Sequence, residues 1–146
     1  MVVMDCRFLK VVEEVHYKET VEYPYIPTFL SFREGPAIIS AFRELKRSPD
    51  ILMVDGCGIN HPRFAGLATH VGVALDLPTI GVSKNILCGA GDEPLEVGDV
   101  SPLVFEGSQV GWLIKSCRRC RSIVVAPGHR VSMDGALEIT KYMLRG

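Results

Sequence analysis

The alternation of apolar and polar positions opens on two short strands. Met1 to Met4 reads as the first and, after the break Asp5-Cys6-Arg7, Leu9 to Tyr17 as the second, together a hairpin. The two prolines of Tyr23-Pro24-Tyr25-Ile26-Pro27 then forbid a helix or a central strand. Phe32, Ala37, Ile38, Ala41, Phe42 and Leu45 recur at helical spacing up to about Lys46, with Ser31 as the expected cap and Glu34 three residues on, in capping-box position. Ile51 to Val54 is a continuous apolar run of the buried-strand kind, closed by Asp55-Gly56. A loop, Cys57 to Arg63, leads to a helix from roughly Ala65 to Leu75, and Thr79 to Val82 forms the next buried strand. The Gly-, Asp-, Glu- and Pro-rich stretch from Gly89 to Ser101 reads as an exposed loop. Strands near Val110 to Lys115 and Ile123 to Ala126, then a helix after Ser132 carrying Leu137, Ile139, Tyr142 and Met143, complete the chain.

A hairpin followed by strand–helix–strand alternation predicts an α/β fold, a mixed sheet with helices on its faces. At 146 residues the chain fits one domain, and 47% hydrophobic content supports a substantial core. No apolar run is long enough to span a bilayer, and the start is too short and interrupted for a secretory signal, so the expected location is cytoplasmic, with no membrane partner. The net charge of −1 does not advertise a polyanion partner. Lys115, Arg118, Arg119 and Arg121, followed by His129 and Arg130, form a local basic cluster that reads first as solvated surface. Five cysteines without framework spacing point to a reducing compartment. Cys117 and Cys120 read as two thiols on a tight turn, with a labile disulfide open in an oxidised sample.

In open α/β sheets, sites lie beyond the carboxyl ends of strands. Asp55 and Lys84 stand at such positions. An aspartate there, followed by Gly56 and Gly58, suits a magnesium ion, which takes hard oxygen ligands and keeps several waters; the competing reading is a turn residue. Glu34 reads first as a helix-capping carboxylate and becomes a ligand only if its helix starts over the sheet beside Asp55. His61 lies in the loop leaving Asp55, His70 reads as a core histidine, and His16 as structural or exposed. His129, after Pro127-Gly128, is free for proton transfer or phosphate contact, or is an ordinary turn residue. The proline-stiffened Tyr25 and Ile26 suit insertion between bases, or simply anchor their loop on the core.

Six blocks in order carry more than any one residue. Pro24-Tyr25-Ile26-Pro27, Leu30 to Pro36, Val54 to Arg63, Gly66 to His70, Pro78 to Lys84 and Pro127 to Arg130 resemble the signature blocks of the endonuclease V family across nearly the whole chain. The resemblance implies a single domain over 1–146 with a ribonuclease-H-like mixed sheet flanked by helices. It implies magnesium-dependent cleavage (manganese as substitute) of a phosphodiester on the 3′ side of a deaminated base, hypoxanthine or inosine, in DNA or RNA, as in nucleic-acid repair. Under it Glu34 and Asp55 are metal ligands. His129 stands near the second metal or the attacking water, and Lys84 near the scissile phosphate. Pro24, Tyr25, Ile26 and Pro27 form a wedge, with Leu30, Gly56, Gly58, Gly66 and Leu67 lining a pocket for the flipped base and His61 and Arg63 beside the nucleic acid. The basic cluster from Lys115 to Arg121 would hold the backbone.

The sequence also departs from the family pattern. Family members begin with a strand of the type Ala-Gly-Val-Asp, whose aspartate is a central metal ligand, and end with a Pro-Glu-Pro-x-Arg segment. Neither is found between Met1 and Gly146, and Asp5 falls on a non-catalytic acidic position. The resemblance therefore implies a domain truncated at both ends, with a neighbouring strand edge open to a second copy of the chain. It also sets against the enzyme an alternative, a weakly active or inactive module that binds inosine-containing nucleic acid.

Overall fold

A computed structural model describes residues 1–145. Two strands, β1 (Val2–Asp5) and β2 (Lys10–Glu14), pair antiparallel as the hairpin the sequence predicts, but they form a sheet of their own. The main sheet has five strands: β3 (Leu52–Asp55), β4 (Thr79–Ser83), β5 (Val100–Phe105), β6 (Ser108–Ile114) and β7 (Ile123–His129), in the order β3-β4-β7-β6-β5. The β3–β4 pair is parallel and every other pairing antiparallel, so the sheet is mixed, as expected.

There are three helices among the described residues, α1 (Leu30–Arg43), α2 (Leu67–Leu75) and α3 (Met133–Met143), of which α2 and α3 cover the two faces of the sheet. Strand side chains alternate between faces, and the packing follows that alternation. Leu52 and Val54 of β3 pack with Leu67, Ala68 and Val71 of α2 on one face. Met53, Ile80, Val82, Ile114 and Val125 meet Ala136 and Ile139 of α3 on the other. Helix α1 lies on α2 instead of on the sheet, and it approaches closely at Gly35, where a Cβ would stand 3.3 Å from the His70 ring. His70 is consequently exposed beside Phe32 (ring centroids 5.9 Å apart), not in the core as the sequence suggests. Trp112 donates its indole N–H to the Met133 carbonyl at 3.0 Å, and Ser132 caps α3 by accepting from the Gly135 N–H.

Two local readings change. Helix α1 begins at Leu30 with Phe29 as N-cap and no side-chain cap, so Ser31 lies inside the first turn and no capping box forms. The reason is the turn before it: Thr28 adopts φ +67° and the Phe29 N–H bonds to the Ile26 carbonyl, which starts the helix earlier. Strand β5 occupies Val100–Phe105, overlapping the end of the stretch expected to be loop; it is an edge strand, where Pro102 costs no ladder hydrogen bond.

The hairpin is held by the ends of two helices. The Glu13 carboxylate accepts from the N–H groups of Lys46 and Arg47 (2.8 and 3.1 Å), and the Tyr142 hydroxyl donates to the Cys6 carbonyl at 2.7 Å. Between the hairpin and β3 runs a groove. Cavities of about 500 and 210 Å³ lie along it, walled by Met1 and Val2 on one side and by Leu52 and Met53 on the other. Among the described residues the outer edge of β3 pairs with no strand.

Candidate nucleic-acid and metal site

Strand β3 delivers Asp55 at its carboxyl end, and β4, running parallel, delivers Ser83 and then Lys84 beside it. Asp55 is exposed and stands where two cavities meet. On one side is the groove beside the hairpin, whose walls also include Glu34 from the first turns of α1. On the other is a pocket of about 380 Å³ walled by Tyr25, Leu30, Gly56, Cys57, Leu67 and Lys84. Neither Glu34 nor Asp55 makes a side-chain hydrogen bond or ion pair among the described residues. Two uncommitted carboxylates facing one cavity are hard-oxygen donors of the kind magnesium takes while keeping its waters. Among the described residues no cluster of three His, Cys, Asp or Glu side chains forms.

The loop from Pro24 to Pro27 reaches over the pocket with its aromatic ring outermost: Tyr25 is 70% exposed and Ile26 40%. The anchored-loop reading therefore does not hold for Tyr25, whose ring is presented to solvent. Anchoring falls to the residues behind it. Arg33 donates to the Tyr23 carbonyl at 2.7 Å, and Arg63 donates to both the carbonyl and the hydroxyl of Thr28 while its guanidinium lies 4.2 Å from the centre of the Phe29 ring. His61 is only 4% exposed. Its Nδ1 accepts the Arg63 N–H at 3.1 Å, which leaves Nε2 to donate to the Thr28 carbonyl at 3.1 Å. Burial pushes the His61 imidazole below its usual pKa, keeping it neutral in that bridging role. His61 and Arg63 thus tie the loop to the segment leaving Asp55.

Gly56 lines the pocket, whereas Gly58 and Gly66 lie beneath it. A Cβ on Gly58 would stand 2.0 Å from the Pro127 carbonyl oxygen, and one on Gly66 2.4 Å from that of Cys57. Their N–H groups are also committed: Gly56 to Val82, Gly58 to the Asn60 side chain and Gly66 to Gly58. These glycines allow close backbone packing under the pocket and do not offer free amides to a base edge. The pocket floor instead carries Cys57, a thiol that burial pushes up and keeps neutral. Ser83, within the Pro78 to Lys84 block, and Asn85, whose one sequence signal is adjacency to Lys84, are also in the wall.

His129 is not brought to this place. It pairs with Thr79 at the start of β4, whereas Asp55 pairs with Val82 near the end. Three residues along the strand and two strand spacings across separate them, roughly 10 Å in each direction. Because β7 runs antiparallel to β4, its carboxyl end lies at the opposite end of the strands from Asp55. There His129 Nε2 is 3.7 Å from Asp76, which also pairs with Arg130 at 2.9 Å, at the C-terminus of α2.

The sequence matches the endonuclease V family over residues 1–146. The chain belongs to the endonuclease V family. Its structure is similar to that of endonuclease V from Streptomyces avermitilis, with 37% identity and a TM-score of 0.89, covering 97% of this chain and 62% of that one. The human endonuclease V structure shares 33% identity and a TM-score of 0.87, covering 97% of this chain and 67% of that one. An endonuclease V from Ciona intestinalis, solved in complex with DNA containing an inosine followed by a ribo-adenosine, shares the fold at 23% identity and a TM-score of 0.82, covering 97% of this chain and 68% of that one. The α/β architecture is accordingly the ribonuclease-H-like one of this family. The chain spans 62% and 61% of the length of the Streptomyces and Bacillus subtilis endonuclease V proteins.

Proposed function

We propose that this chain is a metal-dependent nuclease that cleaves a phosphodiester on the 3′ side of a deaminated base. The observation that carries the reading is the position of Asp55, without a side-chain partner among the described residues, between a groove it shares with Glu34 and a pocket it shares with Lys84 and Tyr25. The relative from Ciona intestinalis, solved with inosine-containing DNA, supports hypoxanthine as the base class.

In this reading Glu34 and Asp55 hold magnesium, which when bound supplies an activated water and neutralises charge on the leaving oxygen. The remaining work falls to the chain's own groups. Lys84, exposed at the pocket rim, places a cation against the phosphate flanking the bound base. Leu30, Cys57 and Leu67 provide an apolar, uncharged enclosure for a flipped base, and Tyr25 with Ile26 fills the gap the base leaves in the stack. His61 and Arg63 position the wedge by bonding Thr28; they act through the loop and not on the substrate.

The test is incubation of the chain with magnesium and an oligonucleotide carrying one hypoxanthine. Nicking 3′ of the lesion is expected, with Glu34→Ala and Asp55→Ala each lowering the rate at least about 10²-fold, the scale set by loss of a group that stabilises developing charge. Full activity in either variant would remove the site assignment. His129→Ala should nick at the parent rate, given its place at the opposite end of β4.

The two-carboxylate ligand set favours one further reading, a module that binds inosine-containing strands without cutting them. A mobility shift that prefers an inosine strand, with no product under magnesium or manganese, is its signature.

A further inference from the structure

Beyond the Asp55 pocket lies a second, larger cavity, of about 700 Å³, walled by Lys84, Asn85, Lys115, Arg118, Arg119 and Arg121. Lys84, Asn85 and Ile86 belong to both walls, so the two spaces share one rim. The walls of the larger one carry five cations and a single acid, Glu93, although the whole chain is nearly neutral. That acid is spoken for: its Oε1 accepts from the N–H and hydroxyl of Ser122 and lies 3.8 Å from the Lys115 ammonium. Lys115 in turn donates to the Cys120 carbonyl at 2.7 Å. Arg118, Arg119 and Arg121 are exposed and make no hydrogen bond or ion pair among the described residues. Three uncommitted guanidinium groups in one recess match successive phosphates of a strand.

The turn that carries them is closed by a bond between Cys117 and Cys120, with Arg118 and Arg119 inside the ring. Cys120 is exposed and Cys117 half-buried, so an incoming thiolate meets Cys120 first. We propose that the β6–β7 turn is a binding site for the phosphodiester backbone of a strand leaving the Asp55 pocket, and that the Cys117–Cys120 disulfide sets its arginines for that contact. Thiol–disulfide exchange then tunes the grip. A dithiol reductant attacks the Cys120 sulfur, the Cys117 sulfur leaves as a thiolate, and the second thiol of the reductant displaces Cys120. Two electrons and two protons pass to the chain, which ends with two thiols while the reductant ends as its own disulfide. The opened turn gains conformational freedom that binding must remove again, which weakens the contact.

The proposal rests on the nucleic-acid reading above but is tested by binding alone. The probe is an unmodified single-stranded DNA oligonucleotide, titrated by fluorescence anisotropy without metal at several salt concentrations. Each phosphate contact on single strands contributes about 0.7 to the log–log salt slope, so Arg118→Ala/Arg119→Ala/Arg121→Ala should lower the slope by about 2. Reduction of the parent chain with dithiothreitol should weaken binding several-fold and flatten the slope. Cys117→Ser/Cys120→Ser should bind like the reduced parent and be indifferent to dithiothreitol, with a cooperative thermal transition confirming that it is folded. If that variant does not fold, the parent's response to dithiothreitol decides. An unchanged slope in the arginine variant, or equal affinity of oxidised and reduced parent chain, overturns the proposal. Redox- and arginine-dependent binding without any nicking of a hypoxanthine strand would leave this proposal standing while the nuclease reading fails.

Discussion

His61 is committed to the loop it braces. It is buried, and its neutral ring joins Thr28 to Arg63. Its folded pKa lies below the unfolded value of about 6.5, so the unfolded state takes up the proton first as pH falls. Stability is therefore full above pH 6.5 and is lost as pH drops from there toward the folded value, with a slope of at most about 1.4 kcal/mol per pH unit. Urea midpoints at pH 7.5 and 5.5 should fall further for the parent chain than for His61→Gln, whose amide can still donate to Thr28. Gly58 makes the complementary point through space. Alanine there would force its methyl into the Pro127 carbonyl, and a loss of about 1–3 kcal/mol is expected from denaturant unfolding, the usual cost of overpacking. The sequence singles out both residues as candidate substrate contacts; only the fold shows that they also bond or pack against Thr28 and Pro127, 33 and 69 positions away.

At the scale of elements, β3 is the informative strand. Its N–H groups at Leu52 and Gly56 flank the ladder toward β4, bonding Pro78 and Val82, so by alternation those of Met53 and Asp55 face the open groove. An unpaired edge of this kind invites another strand. Self-association at high protein concentration is the expected consequence, read by sedimentation equilibrium across a range of protein concentrations. A parent chain that is monomeric throughout would show that the hairpin shields the edge. Strand β4 has the opposite character, buried between β3 and β7, and its apolar run was legible in the sequence for that reason. The edge strand β5 was not, because Pro102 and the half-exposed pattern of its residues imitate a loop.

For the whole molecule, the electrostatics are local. A net charge of −1 conceals the cavity at the β6–β7 turn, where five cations gather around one committed acid. Raising salt should therefore weaken binding of any nucleic-acid strand in proportion to the phosphates held there, whereas Glu34→Ala and Asp55→Ala, on the other side of the rim, should leave that salt slope unchanged when no metal is present.

The sequence by itself determined the family, the mixed α/β character, and the order of the helices and of every strand but β5, and it singled out Glu34 and Asp55 as candidates. These are carried by residues close together in the chain: apolar runs of fixed period and six motif blocks whose order alone is diagnostic. Tertiary structure decided what local pattern cannot express. Antiparallel pairing of β7 with β4 carries His129 to the far end of the sheet, and close packing against Pro127 leaves no room for a side chain at Gly58. The same folding brings Glu34, 21 positions before Asp55, into its groove, because α1 lies on α2 and starts beside the end of β3. Contacts between distant segments depend on strand direction and helix packing, and neither is written in the spacing of residues along the chain.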